Sequence, residues 1–290
     1  MFAIVGATGK VGFATSRALR EAGKPVRAIL RDASKGDKLR EIGCEISVAD
    51  LQDPKALAQA IGNAHTVQVI VPPAPQLKDT AEQMRQAIES IATALEETRP
   101  QRVLAISDYG AHVTDDIGMP TMCRDFELRL TKVPCKKVFL RSSEHIEAGW
   151  GRAIPVAKES GILPSFLDPT DTLFPRISAS DLGLIAADVL LRPAATEDVE
   201  IIHAEGPRRY SANDAAAALS ELLGKAIQVQ VVPRSEWKDV MERVMSPTLA
   251  ELLIKANDAQ NKGGMVDVES KQSKVVYGKT ELIDALRPLV

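Results

Sequence analysis

The feature that most constrains the fold lies in the first twelve residues. An apolar run, Met1-Phe2-Ala3-Ile4-Val5, breaks at Gly6-Ala7-Thr8-Gly9-Lys10-Val11-Gly12, and a helical apolar pattern follows through Val11, Ala14, Ala18 and Leu19. Strand, glycine-rich turn and helix in this order form the context in which a glycine triplet predicts a phosphate cradle. Gly6 permits the tight turn, Gly9 keeps a Cβ away from a pyrophosphate, and Gly12 lets the helix pack closely on the strand. The amides around Gly9, Lys10 and Val11 then face an anion at the positive end of the helix dipole. A dinucleotide site is expected here. The plainer reading of the same residues is a tight strand-to-helix turn with no ligand.

The alternation continues along the chain. Residues 25–30, 45–48, 66–71 and 102–106 read as strands, and helical patterns separate them, the longest over residues 77–97. Repeated β/α units of about 20 to 30 residues predict an α/β fold with a doubly wound, mostly parallel Rossmann sheet. Asp53 before Pro54 reads as a helix N-cap with proline at the first helical position. After Ile146 the alternation weakens. The expected division is a Rossmann domain over 1–148 and a smaller α+β C-terminal lobe over 149–290, with about 176–203 free to return to the sheet. Ser180 or Asp181 is the expected N-cap of a helix over 182–191. Trp150, Leu163, Phe166, Leu167 and Phe174 either line a substrate pocket or form the core of the small lobe. The segment from Asn257 to Gly264 and beyond reads as mobile.

Composition removes several functions. The 290 residues are 45% hydrophobic and 26% charged, with 36 Lys+Arg against 39 Asp+Glu, which excludes a compositionally disordered chain. Interspersed charge and 4% aromatic residues argue against a nucleic-acid surface. No apolar run approaches the roughly 20 residues needed to cross a bilayer. Cys44, Cys123 and Cys135 are too scattered for a disulfide framework or a zinc site, and no two histidines have metal-ligand spacing, so no metal is expected. The expected setting is reduced and cytoplasmic.

The end of the second strand selects the cofactor. An NAD site places an acidic residue about 20 residues beyond the glycine loop, to accept from the ribose 2′-OH. Here Arg31 occupies that place, and its planar fork suits a 2′-phosphate. Lys35 and Lys10 are further candidates, whereas Asp32, one step on, points away if the strand continues. NADP(H) is therefore expected over NAD, the alternative being that Arg31 and Lys35 are solvated surface charges. The fourth strand ends at Val71 and is stopped by Pro72, which opens a stiff Pro72-Pro73-Ala74-Pro75 loop at the carboxyl edge of the sheet, where cofactors sit. Val71 and Pro72 are therefore expected beside the cofactor.

The spacing Gly-x-x-Gly-x-x-Gly with Thr8 inside it resembles the short-chain dehydrogenase/reductase superfamily, most closely its atypical NmrA-like branch. The resemblance implies that Asp50 and Leu51, after the third strand, lie beside the adenine, and that the C-terminal lobe meets the substrate. It does not supply a proton donor. The main branch of the superfamily uses Tyr-x-x-x-Lys, but the residues four beyond Tyr109, Tyr210 and Tyr277 are Val113, Asp214 and Glu281. In the NmrA-like branch a Lys or His precedes a glutamate on the helix after the fifth strand, and the next strand ends in Arg. The matching stretch here holds Cys123 or Arg124 at that place, then Glu127 and Arg141. Two substitutes remain as proton donors: Tyr109, just after the fifth strand, and His145, after the sixth. The bland readings are a packed tyrosine and a hydrogen-bonded histidine. Ser107 is expected to bond the cofactor, and His65, His112 and His203 are expected to be structural. Two functions follow: an NADPH-dependent oxidoreductase acting on a small carbonyl, quinone, imine or conjugated alkene, or a non-catalytic NADP-binding redox sensor acting through a protein partner.

Overall fold

The computed structural model describes residues 1–270 and 273–290. Its first half is a run of β/α units: β1 (Phe2–Val5), α1 (Lys10–Glu21), β2 (Val26–Leu30), α2 (Asp37–Glu41), β3 (Glu45–Val48), α3 (Pro54–Ile61), β4 (Thr66–Val69), α4 (Thr80–Thr98), β5 (Arg102–Asp108), α5 (Met119–Thr131) and β6 (Lys136–Ser142). The second half adds β7 (Glu144–His145), α6 (Ile154–Ser160), β8 (Ile162–Ser165), β9 (Arg176–Ile177), α7 (Ala179–Leu191), β10 (Val199–Glu205), α8 (Ala212–Leu223), β11 (Gln228–Val231), α9 (Trp237–Glu242), α10 (Pro247–Asn261), β12 (Val275–Tyr277) and α11 (Leu282–Leu286).

Eight strands form one sheet in the order β12-β10-β6-β5-β4-β1-β2-β3, and every pairing within it is parallel. The order reverses direction between β1 and β4. That switch point opens a crevice at the carboxyl ends of the strands, where ligands of doubly wound sheets bind. Side chains of successive strand residues point to opposite faces, and β1 shows the consequence. Ala3 and Val5 join the layer with Leu57, Met84, Ile91 and Phe126 of α3, α4 and α5. Phe2 and Ile4 join the opposite layer, with Leu19 of α1 and Leu182 and Ile185 of α7. With both faces covered, β1 reads as an unbroken apolar run rather than an alternating one.

The chain returns to this sheet from the second half. α7 packs beside α1, where Thr15 Oγ1 donates to the Gly183 carbonyl at 3.0 Å. β10 then pairs with β6, and β12 with β10. The smaller lobe has its own core of Trp150, Leu163, Leu167, Phe174, Tyr210 and Leu219. Four of the five residues weighed as pocket lining are therefore packed inside the lobe, while Phe166 lies edge-on to Trp237 at 5.6 Å.

Local chemistry sets several boundaries. Asp53 accepts from the Lys55 and Ala56 amides and caps α3, with Pro54 at its start. Ser211 and Asp214 form a capping box on α8, closed by Gly224 in the left-handed conformation. The cap of α7 is Ser178, not Ser180 or Asp181; Asp181 instead accepts from the Lys279 and Thr280 amides at 2.7 Å, tying the C-terminal segment to α7. α10 runs on to Asn261, so the segment expected to be mobile from Asn257 begins as helix. β4 ends at Val69, which leaves Val71 in the loop.

Candidate functional site

The glycine loop sits at the carboxyl end of β1, beside the switch point. Gly6 has φ +72°, a conformation that L side chains rarely adopt. A Cβ on Gly12 would come within 2.5 Å of the Gly6 carbonyl oxygen and 2.8 Å of the Ala7 Cα, so only glycine lets α1 start this close to the loop. Gly9 is the N-cap of α1, no side chain caps the helix, and its first turn holds no acidic residue. The first amides of α1 are thus left without a side-chain acceptor, which fits the negative charge of a pyrophosphate. Thr8, Gly9 and Lys10 are exposed, while Val11 and Gly12 are buried. The Lys10 ammonium lies 3.8 Å from Glu147, whose carboxylate also accepts from the Ala179 amide at the start of α7.

Arg31 is exposed just after β2, and among the described residues it makes no ion pair. Asp32 accepts from both the amide and the hydroxyl of Ser34, and these bonds hold its carboxyl below the usual carboxylate range. That turn occupies the acid next to Arg31 and leaves the guanidinium free. Lys35 is exposed in the same turn. After β3, Asp50 accepts from the Gln52 amide at 2.9 Å, and Leu51 packs against the core. After β4, Val71 is half-buried and Pro72 exposed. This loop is anchored to the small lobe: the Ser246 amide donates to the Pro75 carbonyl at 3.0 Å, and the Thr80 and Ser246 hydroxyls lie 2.8 Å apart.

The carboxyl ends of β5 and β6 are built from side chains. Ser107 donates to Glu127 of α5 at 2.6 Å. Glu127 in turn receives a two-pronged pair from Arg141 at 3.0 and 2.8 Å, and Arg141 also reaches Glu269 at 2.9 Å. Arg141 and Glu127 are both buried. Ser107, expected to bond the cofactor, has its hydroxyl proton directed into this network. Tyr109 is fully buried and lies edge-on to His203 at 5.3 Å. Burial, with Glu205 nearby, pushes its phenol pKa far above the ordinary value, so the proton is held rather than offered. His203, equally buried, is pushed down to about 4 by desolvation and the Arg141 charge. His145 is half-buried on β7. Desolvation lowers its pKa even though Glu147 and Glu144 pull the other way, which leaves the ring neutral near pH 7.

Asp108, the last residue of β5, belongs to no motif in the sequence. It is half-buried, and burial beside Glu144 raises its pKa to about 7. On α5, the half-buried Cys123 thiol is pushed well up by desolvation and by Asp108 and Glu127, so it keeps its proton. The signal for Asp108 was weak: a carboxylate closing an apolar strand one residue before a buried tyrosine. Among the described residues no group of three or more His, Cys, Asp or Glu side chains could hold a metal ion, and no helix is long and apolar enough to cross a membrane.

Residues 6–129 match the model of the NAD(P)H-binding family, the group to which the NmrA-like resemblance pointed. Over this stretch the chain is similar to NAD(P)H-binding proteins. The chain is also similar to an NAD(P)H azoreductase of Xenophilus azovorans, 24% identical over 249 residues that cover 85% of this chain and 82% of that protein. Two solved structures share the fold over the whole chain. The triphenylmethane reductase of Citrobacter sp. complexed with NADP(H) is 20% identical with a TM-score of 0.78, covering 100% of this chain and 99% of that one. The NADPH-dependent quinone oxidoreductase of Escherichia coli complexed with NADPH is 22% identical with a TM-score of 0.80 over the same shares. The likeness in fold thus extends beyond residues 6–129 to the rest of the chain.

Proposed function

We propose that the protein is an NADPH-dependent reductase of small electrophilic molecules, with quinones, azo compounds and triphenylmethane dyes as the substrate classes to try first. The observation that carries this reading is the pairing of an uncapped α1 N-terminus at the switch point with an Arg31 that makes no ion pair among the described residues. The names of the azoreductase, dye-reductase and quinone-reductase relatives support it.

The amides following Gly9 hold the pyrophosphate, with Gly12 letting the helix approach and Thr8 and Lys10 at the exposed rim. Arg31, assisted by Lys35, holds the 2′-phosphate. Asp50 and Leu51 flank the adenine, and Val71 and Pro72 shape the wall toward the substrate. When bound, NADPH supplies a hydride, and the protein's contribution is orientation and the exclusion of competing reactions. Tyr109 and His145 are poor proton donors here, because one holds its proton too tightly and the other is mostly unprotonated near neutrality. The small lobe, joined to the β4 loop through Ser246 and Thr80, closes the crevice over a substrate.

The test is steady NADPH oxidation, followed by the loss of nicotinamide absorbance, against a panel of quinones, azo dyes, triphenylmethane dyes, enones and aldehydes. Turnover with at least one class, faster with NADPH than with NADH, is the expected result. Micromolar NADPH binding with no turnover across the panel sinks the reductase reading.

A further inference from the structure

The reductase reading leaves one role unfilled. Reduction of a quinone or an azo bond by hydride puts negative charge on an oxygen or nitrogen, and a nearby acid must supply a proton to that atom. We infer that Asp108 is this acid, delivering its carboxyl proton to the substrate heteroatom at the carboxyl end of β5. The inference rests on the reductase reading above and deepens it.

Position comes first. Asp108 ends β5, two strands from β1 in the sheet, on the same carboxyl edge as the glycine loop and the β4 loop. It is half-buried, unlike Tyr109 beside it, which has no exposed surface at all. Among the described residues no cation pairs with its carboxylate. The surroundings give two carboxyl groups different partners. Glu144 on β7 forms an ion pair with Arg176 of β9, and Arg176 is itself buried and stacks over the Trp150 ring at 4.7 Å. Glu144 is therefore held by a cation. Its charge, added to desolvation, favours the protonated form of Asp108. On α5, Cys123 is a neutral thiol, and Glu127 is already neutralised by Arg141 of β6. None of these groups offers Asp108 a counter-charge. A half-buried carboxyl without a cation, next to one that already has its cation, is placed to carry a proton.

The step balances. The carbon–hydrogen bond at C4 of the dihydronicotinamide breaks, and its hydrogen leaves with the electron pair to the substrate, oxidising NADPH to NADP⁺. The Asp108 O–H bond breaks as a new O–H or N–H bond forms on the reduced substrate. Solvent then returns a proton to the carboxylate. With a pKa of about 7, the group is a usable acid at neutrality and is readily recharged.

The chemistry of two probes separates this role from a structural one. A benzoquinone needs hydride and a proton, whereas the cationic dye crystal violet becomes its neutral leuco form by hydride alone. In Asp108→Asn, the ratio of quinone to dye turnover is expected to fall about 10²-fold, the range of a general acid. For the wild type, the quinone rate should decline as pH rises through about 7, and that limb should vanish in Asp108→Asn. An unchanged ratio together with an unchanged pH limb overturns the Asp108 assignment while leaving the reductase standing. A wild type that oxidises NADPH with neither probe nor any member of the panel overturns the reductase reading itself. If Asp108→Asn does not fold, the wild-type quinone rate alone decides: a flat profile between pH 6 and pH 8 rejects the assignment.

Discussion

The two halves of one sheet edge are made differently. On the β1–β2 side the site is backbone: helix amides, a loop in which Gly12 has no space for a Cβ, and a single exposed guanidinium. On the β5–β6 side it is a set of side chains drawn from distant segments, the buried Ser107, Glu127 and Arg141 and the exposed Glu269 in one hydrogen-bonded chain. A backbone cradle binds any phosphate presented to it and tolerates change in most of its side chains. A buried ionic network tolerates almost none, because each charge left unpaired there costs several kcal/mol. The difference teaches where sequence change should do damage: at the glycines on one side, and at the partners of buried charges on the other.

The largest effect should therefore come from the β6 side, far from the glycine loop. Arg141→Met leaves the Glu127 carboxylate buried with only the Ser107 hydroxyl as donor, and should destabilise the protein by about 3–5 kcal/mol in urea unfolding. Replacing Glu127 by Leu in the same chain removes the orphaned charge and should recover most of that loss. A single variant within about 1 kcal/mol of wild type would mean that the network contributes little, and the comparison would collapse.

On the β1 side, the corresponding test is one methyl group. The Cβ of Gly12→Ala meets backbone atoms, which cannot swing aside, at 2.5 and 2.8 Å. The loop or α1 must shift, at a cost of about 2 kcal/mol for an overpacked site. A shifted cradle loses its aim at the phosphates. The rise in melting temperature that saturating NADPH produces in the wild type should disappear in this variant. A preserved ligand-induced rise would show that the cradle does not depend on this close approach.

These two sides were not equally legible in the sequence. The glycine spacing, the strand run before it and the Asp53 cap are local patterns whose physics is complete within a few residues, so the Rossmann sheet could be read from them. The β5–β6 side depends on register. The pKa of Asp108 is raised by its burial and by the charge of Glu144 of β7, and no spacing in the chain announces that meeting. Tyr109 illustrates the same limit from the other direction. Its place after β5 was read correctly, but its burial against His203 of β10 comes from a strand nearly a hundred residues later. β12 and the Asp181 anchor belong to the same class, since each is a contact between segments that look unrelated in sequence.

Arg31→Ala should give the smallest effect and the sharpest division between the two halves. The guanidinium is exposed, so water competes for its bonds, and a charge-assisted contact to a 2′-phosphate contributes about 2 kcal/mol at most in that setting. NADPH affinity should fall about tenfold, while NADH, which has no 2′-phosphate, should bind almost as before. Stability should be unaltered, because Arg31 makes no ion pair among the described residues and nothing is left unpaired by its removal. Titrating both nucleotides by the quenching of intrinsic fluorescence measures this. Equal losses for NADPH and NADH would refute the 2′-phosphate role of Arg31, and no loss with either would return it to the surface and the choice of nucleotide to Lys10 and Lys35.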